Sequence, residues 1–172
     1  MNIFYLDPNP RTAAQYHCDK HVNKMILETA QLLSTAHRMT DSPYADQCYK
    51  IAHKNHPSAI WARSSVDHYA WLFNLFRELT NEFNRRKGTV HASWTKLKSV
   101  LSHTPDLPLA GFTPPPQCMD DEYKQDDTVE AYRAYYRGGK ADIARWDWDN
   151  NTPDWWHEET SKESIQGQQA QV

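Results

Sequence analysis

Between Arg11 and Arg38 the chain carries neither proline nor glycine, a run long enough for a helix of many turns and far too long for an ordinary strand. At 100° per residue Val22, Met25, Ile26, Leu33 and Ala36 fall on one side, so the run predicts one long amphipathic helix. Its start is set by Asp7-Pro8-Asn9-Pro10, a turn whose prolines fix φ. His56-Pro57 opens a second helical segment in the same way, because proline suits the first helical position. There Tyr69, Leu72, Phe76, Leu79 and Phe83 carry an apolar stripe to Arg85-Arg86-Lys87-Gly88, a basic last turn followed by a C-terminal glycine. A shorter helix bears Trp94, Leu97 and Leu101.

The remainder is punctuated differently. Thr40 to Asn55 reads as a loop with a short helical turn around Ala45 to Ala52. Pro105 to Gln125, with Pro114-Pro115-Pro116, is incompatible with regular helix or a central strand and must lie across the domain as a loop. Asp127 suits the N-cap of a final helix carrying Val129, Tyr132 and Tyr136 and continuing past Gly138-Gly139 to Ile143 and Trp146. Trp155 and Trp156 are expected to dock its end. The fold class is therefore mainly α: a single domain over 1–157, a compact bundle of about four helices with a Pro-rich loop packed across it, and a disordered tail over 158–172.

No apolar run approaches the length of a membrane span. The start has no basic region followed by a small-residue cleavage site, so the expected location is the cytoplasm and no membrane partner is expected. Three cysteines without a CxxC pair suggest neither a disulfide framework nor a thiolate metal cluster. A net charge of -3 hides an asymmetry: residues 1–104 sum to +5 and hold eight of the nine histidines, and residues 105–172 sum to -8. A positive N-terminal part attracts phosphate locally even in an acidic protein, because fields fall off within about 8–10 Å at physiological salt.

On the first helix His17, His21, Lys24, Glu28 and Gln31 lie within roughly 80° of one another at helical spacing. Two imidazoles, an amine, a carboxylate and an amide furnish a site, whereas a solvated face normally repeats Lys, Glu and Ala. Glu28, one turn after Lys24, is placed to exchange a proton, with His17 and His21 orienting or transferring protons; the opposing reading is a charged helix face. The i, i+4 spacing of His17 and His21, with Glu28, would also suit a metal, although no cofactor or metal is expected. A second group, His56, Trp61 and Arg63, would place an imidazole, a base-stacking indole and a phosphate-pairing guanidinium at a helix start. A third, Phe112 to Lys124, is a stiff loop presenting Gln117 and Lys124.

His17-Cys18-Asp19-Lys20-His21-Val22-Asn23-Lys24-Met25, Asn55-His56-Pro57-Ser58-Ala59-Ile60-Trp61-Ala62-Arg63 and Pro114 to Lys124 together resemble an uncharacterised family of tailed-phage proteins. More distantly, the order of a short N-terminal stretch, a polar-faced helix, His-Pro, a Trp and a helix ending in basic residues and Gly is similar to the pyrimidine-dimer DNA glycosylases, the phage endonuclease V family. That resemblance implies a nucleophilic N-terminal amine attacking the sugar C1′ and a helix Glu assisting. By order along the chain the family's helix His matches His17 and its Glu falls at Lys24, so Glu28, one turn on, is the replacement carboxylate. Asn2 is too large for routine removal of Met1, which makes the amine that of Met1.

The leading expectation is an enzyme acting on a nucleobase in DNA or on a nucleotide, by glycosylase/lyase-like or base-modifying chemistry. Lys24 and Glu28 would react, His17 and His21 would assist, and His56, Trp61, Arg63, Gln31, Gln117 and Lys124 would bind. The alternatives are a non-catalytic factor binding a host protein or nucleic acid and a His/Glu metal enzyme.

Overall fold

The computed structural model describes residues 1–158. Six α-helices run in chain order: α1 (Pro10–Tyr16), α2 (Asp19–Met39), α3 (Pro57–Ala62), α4 (Val66–Lys87), α5 (Ala92–Leu101) and α6 (Thr128–Gly139), with short 3-10 turns between and after them and no strand among the described residues. The mainly α expectation holds. The tail expected to be disordered lies, beyond Glu158, outside the described residues.

Two helices read as continuous are each broken. Pro10 opens α1 and the Asn9 side chain accepts from the Arg11 amide, as the turn chemistry dictates. The helix then stops at His17, and both His17 and Cys18 are extended before α2 begins at Asp19. No breaker residue causes this. The Arg86 guanidinium, none of its side chain exposed, donates to the carbonyls of Gln15 (3.0 Å) and His17 (2.9 Å) and pairs with Asp19 at 3.1 Å. A distant side chain thus satisfies the carbonyls that an unbroken helix would have used internally. The second break, between α3 and α4, is a local cap: Ser65 is extended, its Oγ accepts from the Asp67 amide and donates to the Gly111 carbonyl at 2.6 Å.

The C-terminal signals of α4 are realised, with Gly88 at φ 71° and its amide on the Asn84 carbonyl at 2.7 Å. The last helix is shorter than expected. It ends at Gly139 instead of continuing to Trp146, and Gly138 lies under the Tyr123 ring, where any Cβ would collide. Beyond it the chain turns back so that Trp146 Nε1 reaches the Tyr16 carbonyl at 3.1 Å and Trp155 is buried against Tyr136.

The Pro-rich loop does cross the helices. Trp61 Nε1 donates to Thr113 O at 3.0 Å, the Thr113 amide donates to His68 Nε2 at 3.0 Å, and the Val66 amide reaches Pro108 O. Before α1 the segment Ile3-Phe4-Tyr5-Leu6 is neither strand nor helix but a fully buried thread. Phe4 packs against His17, His21, Tyr132 and Tyr136, so the thread runs between α2 and α6. No described helix is long and apolar enough to cross a membrane.

Candidate active site

The buried thread fixes where the chain's first amine lies. Met1, its side chain 2% exposed, brings its α-amine to 3.7 Å from Glu28 Oε1, and Lys24 Nζ stands 3.9 Å from Glu28 Oε2. Glu28 sits where the solvated and buried faces of α2 meet: Lys24 one turn earlier is exposed, while Met25 and Thr29 are buried. Its Oε2 is buried and accepts no hydrogen bond. A carboxylate between two amines, with an unfilled oxygen away from water, is equipped to take a proton and to contact a further positive or proton-bearing group.

His56 belongs to the same corner. It caps α3 by accepting the Ser58 amide on Nδ1 at 3.0 Å, which leaves the proton on Nε2 in the neutral ring. Burial lowers its pKa, and the positive Met1 amine and His53 lower it further. Asn2 ties the thread to the Pro-rich loop: Nδ2 donates to Cys118 O at 2.9 Å, and Oδ1 lies 3.2 Å from the Tyr132 hydroxyl. The Cys118 thiol is 3.7 Å from Ser58 Oγ. Gln31, half-buried, is one turn beyond Glu28.

A model of the family described as pyrimidine dimer DNA glycosylase matches residues 1–96. The chain belongs to the pyrimidine dimer DNA glycosylase family. Comparison with curated proteins and with solved structures finds no match. The matched part of this glycosylase-family chain contains the thread, α1 to α4, Met1, Lys24, Glu28 and His56; Cys118 and Tyr132, which hold Asn2, lie beyond it.

Other residues singled out in the sequence occupy different ground in the glycosylase-family fold. His17 has no exposed surface, sits at the end of α1 and not on α2, and donates from Nδ1 to Ala13 O at 2.6 Å. Burial lowers its pKa to about 4, and the Ala13 bond only partly offsets this. His21 stacks on Phe4 with centroids 4.2 Å apart and its Nδ1 lies 2.7 Å from the Tyr136 hydroxyl. Burial, then the charges of its neighbours His17, Lys140, Lys24 and Lys20, push its pKa to about 2. Both rings are neutral packing partners of Phe4, so the shared polar stripe reduces to Lys24, Glu28 and Gln31. Among the described residues no group of three or more His, Cys, Asp or Glu side chains is arranged to hold a metal.

Trp61 is 7% exposed, stacked on His68 at 4.3 Å and bonded to the loop, so its face is already covered. Arg63 caps α3 and donates through Nη2 to Lys54 O at 2.8 Å, while its Nη1 is buried without a partner. Gln117 spends its amide on the Gln125 backbone in both directions. Lys124 is exposed and pairs with Asp121 at 2.8 Å. The structure therefore gathers Met1, Lys24, Glu28 and His56. The contribution of Asn2 had no signature in spacing, because its partners lie 116 and 130 positions away.

Proposed function

We propose that this chain acts on an N-glycosidic bond in DNA, with the Met1 α-amine as nucleophile and Glu28 as its acid–base partner. The observation that carries the reading is the Glu28 carboxylate, 3.7 Å from the amine and with a buried oxygen that accepts no hydrogen bond. Glu28 takes a proton from the ammonium, and the freed lone pair attacks the sugar C1′. The C1′–base bond breaks, its electron pair leaves with the base, and the base takes the proton held by Glu28, which then receives the proton that the attacking nitrogen sheds. The resulting amino-sugar opens to an imine as the ring oxygen accepts the proton released from nitrogen. Water then hydrolyses the imine, returning the amine and leaving an abasic sugar.

Of the two amines, the Met1 α-amine is the one held in place against Glu28, because its side chain is buried and the thread behind it is part of the core, whereas the Lys24 side chain is 60% exposed. Lys24, exposed and on the same carboxylate, is suited to a DNA phosphate. The His56 Nε2–H is a donor for an oxygen of the sugar or base. In this reading the family's helix His and Glu correspond to His21 and Glu28, one helical turn beyond the His17 and Lys24 register that chain order alone suggests.

Borohydride reduction of the protein on duplexes carrying a pyrimidine dimer or an abasic site tests this. The expected result is a covalent adduct whose peptide map places it on Met1, with an intact mass that includes Met1. Adduct on Lys24, or none on either duplex, would overturn the assignment.

A further inference from the structure

We infer that Asn2 is the positioning residue for the Met1 amine, a role that rests on the reading of that amine as nucleophile. The end of a chain ordinarily frays unless tied down. A nucleophile on a frayed end loses the advantage of a held geometry, where displacement by about 1 Å can cost a hundredfold in rate.

Met1 is held from both sides of a single residue. Toward the core, Ile3 and the thread behind it are buried. At Asn2 the side-chain amide donates to Cys118 O at 2.9 Å. Cys118 is itself fixed, since its amide donates to the Tyr132 hydroxyl at 3.3 Å. That hydroxyl has one proton and two acceptors near it, Pro116 O at 2.5 Å and Asn2 Oδ1 at 3.2 Å. The shorter contact takes the proton, so the Asn2–Cys118 bond is the firm one and Tyr132 holds the loop that receives it. Tyr132 is fully buried on α6, so the anchor is part of the core.

Two properties of one side chain then act together. Asn2 is large enough to keep Met1 in place during maturation, and its amide aims the amine so retained. The Pro-rich segment also gains a role, through a backbone carbonyl at Cys118 and not through the side chains of Gln117 or Lys124.

The test compares the wild type with Asn2→Leu, which has nearly the same shape, keeps Met1 and makes no hydrogen bond. A brief pulse of acetic anhydride, read by peptide mass spectrometry, reports how accessible each amine is. Trapping on an abasic duplex reports the nucleophile. In Asn2→Leu, acylation of Met1 should rise several-fold while Lys20 and Lys24 keep their wild-type rates, and trapping should fall about ten- to a hundredfold. A global loss of structure would instead raise all the amines together. Unchanged Met1 acylation in Asn2→Leu would overturn the positioning role. If the wild type forms no adduct, the nucleophile reading fails, and the acylation ratio still decides whether Asn2 holds the amine. Should Asn2→Leu not fold, Asn2→Asp, which keeps the size of the side chain but replaces the donor to Cys118 O by a carboxylate oxygen that repels it, gives the same comparison.

Discussion

Arg86 and Asp19 face each other at 3.1 Å, with no part of the arginine side chain exposed, across the gap where α1 stops and α2 begins. The same guanidinium also meets Glu82 at 2.9 Å. The second oxygen of Asp19 accepts the amides of Asp147 and Trp148 at 2.7 and 3.1 Å, so one ion pair joins the helix break, the end of α4 and the returning C-terminal segment.

Arg86→Ala should therefore destabilise the fold by about 3–5 kcal/mol, since it strands buried carboxylates and two helix-end carbonyls. Arg86→Lys should recover little, because an ammonium cannot replace the planar fork. Urea denaturation measures both, and a loss below about 1 kcal/mol would show that water replaces the guanidinium.

Glu28→Gln should reduce adduct formation by about a hundredfold or more, the usual contribution of a positioned acid–base group. The melting temperature should change little, because the carboxylate has one oxygen without a hydrogen bond and two long ion pairs to lose. A variant that traps DNA at the wild-type rate would remove Glu28 from the chemistry.

Lys24→Ala should weaken binding to duplex DNA and lower the slope of log affinity against log salt by about 1, as expected for one phosphate contact. Adduct formation at saturating DNA should survive. Loss of the adduct at saturation, with binding intact, would make Lys24 the nucleophile.

Stability should fall on acidification between roughly pH 6.5 and 4. His17 is lowered to about 4 and His21 to about 2. Below pH 6.5 the unfolded chain binds protons that the folded chain refuses, so each ring withdraws stability as pH drops, by at most about 1.4 kcal/mol per pH unit. His37, His56, His68 and His91 are lowered too and act in the same direction. Urea midpoints at pH 7 and pH 5 measure the effect, and the change between them should be smaller in His21→Asn than in the wild type, whatever its starting stability. Equal pH sensitivity in the two proteins would contradict a neutral buried His21.

The elements that repeat a local rule were legible in the letters: the stripe of α2, the basic turn and Gly88 that end α4, Asp127 at the start of α6. The break at His17 and Cys18 was not, because its cause is a guanidinium 69 positions away. The second break was not legible either: Ser65 caps α4 in the structure, but the apolar stripe at helical spacing that follows it conceals the stop. At the site, Lys24 and Glu28 stand at the spacing that brings them together. His17 and His21 share that spacing yet are swallowed by the core, since periodicity gives an angle around a helix and not what covers it. Trp61 is a similar case: an indole beside an arginine suggests stacking on a base, whereas its ring is spent on His68 and its N–H on the loop.

The thread from Ile3 to Leu6 also has a history in synthesis. These residues are made early, yet Phe4 is walled in by Tyr132 and Tyr136, and Asn2 depends on a carbonyl that Tyr132 steadies. During translation they have nowhere to settle until α6 has left the ribosome. A nascent chain halted before α6 would own every residue matched by the family and still lack the two tyrosines that wall in Phe4, one of which steadies the carbonyl bonded by Asn2.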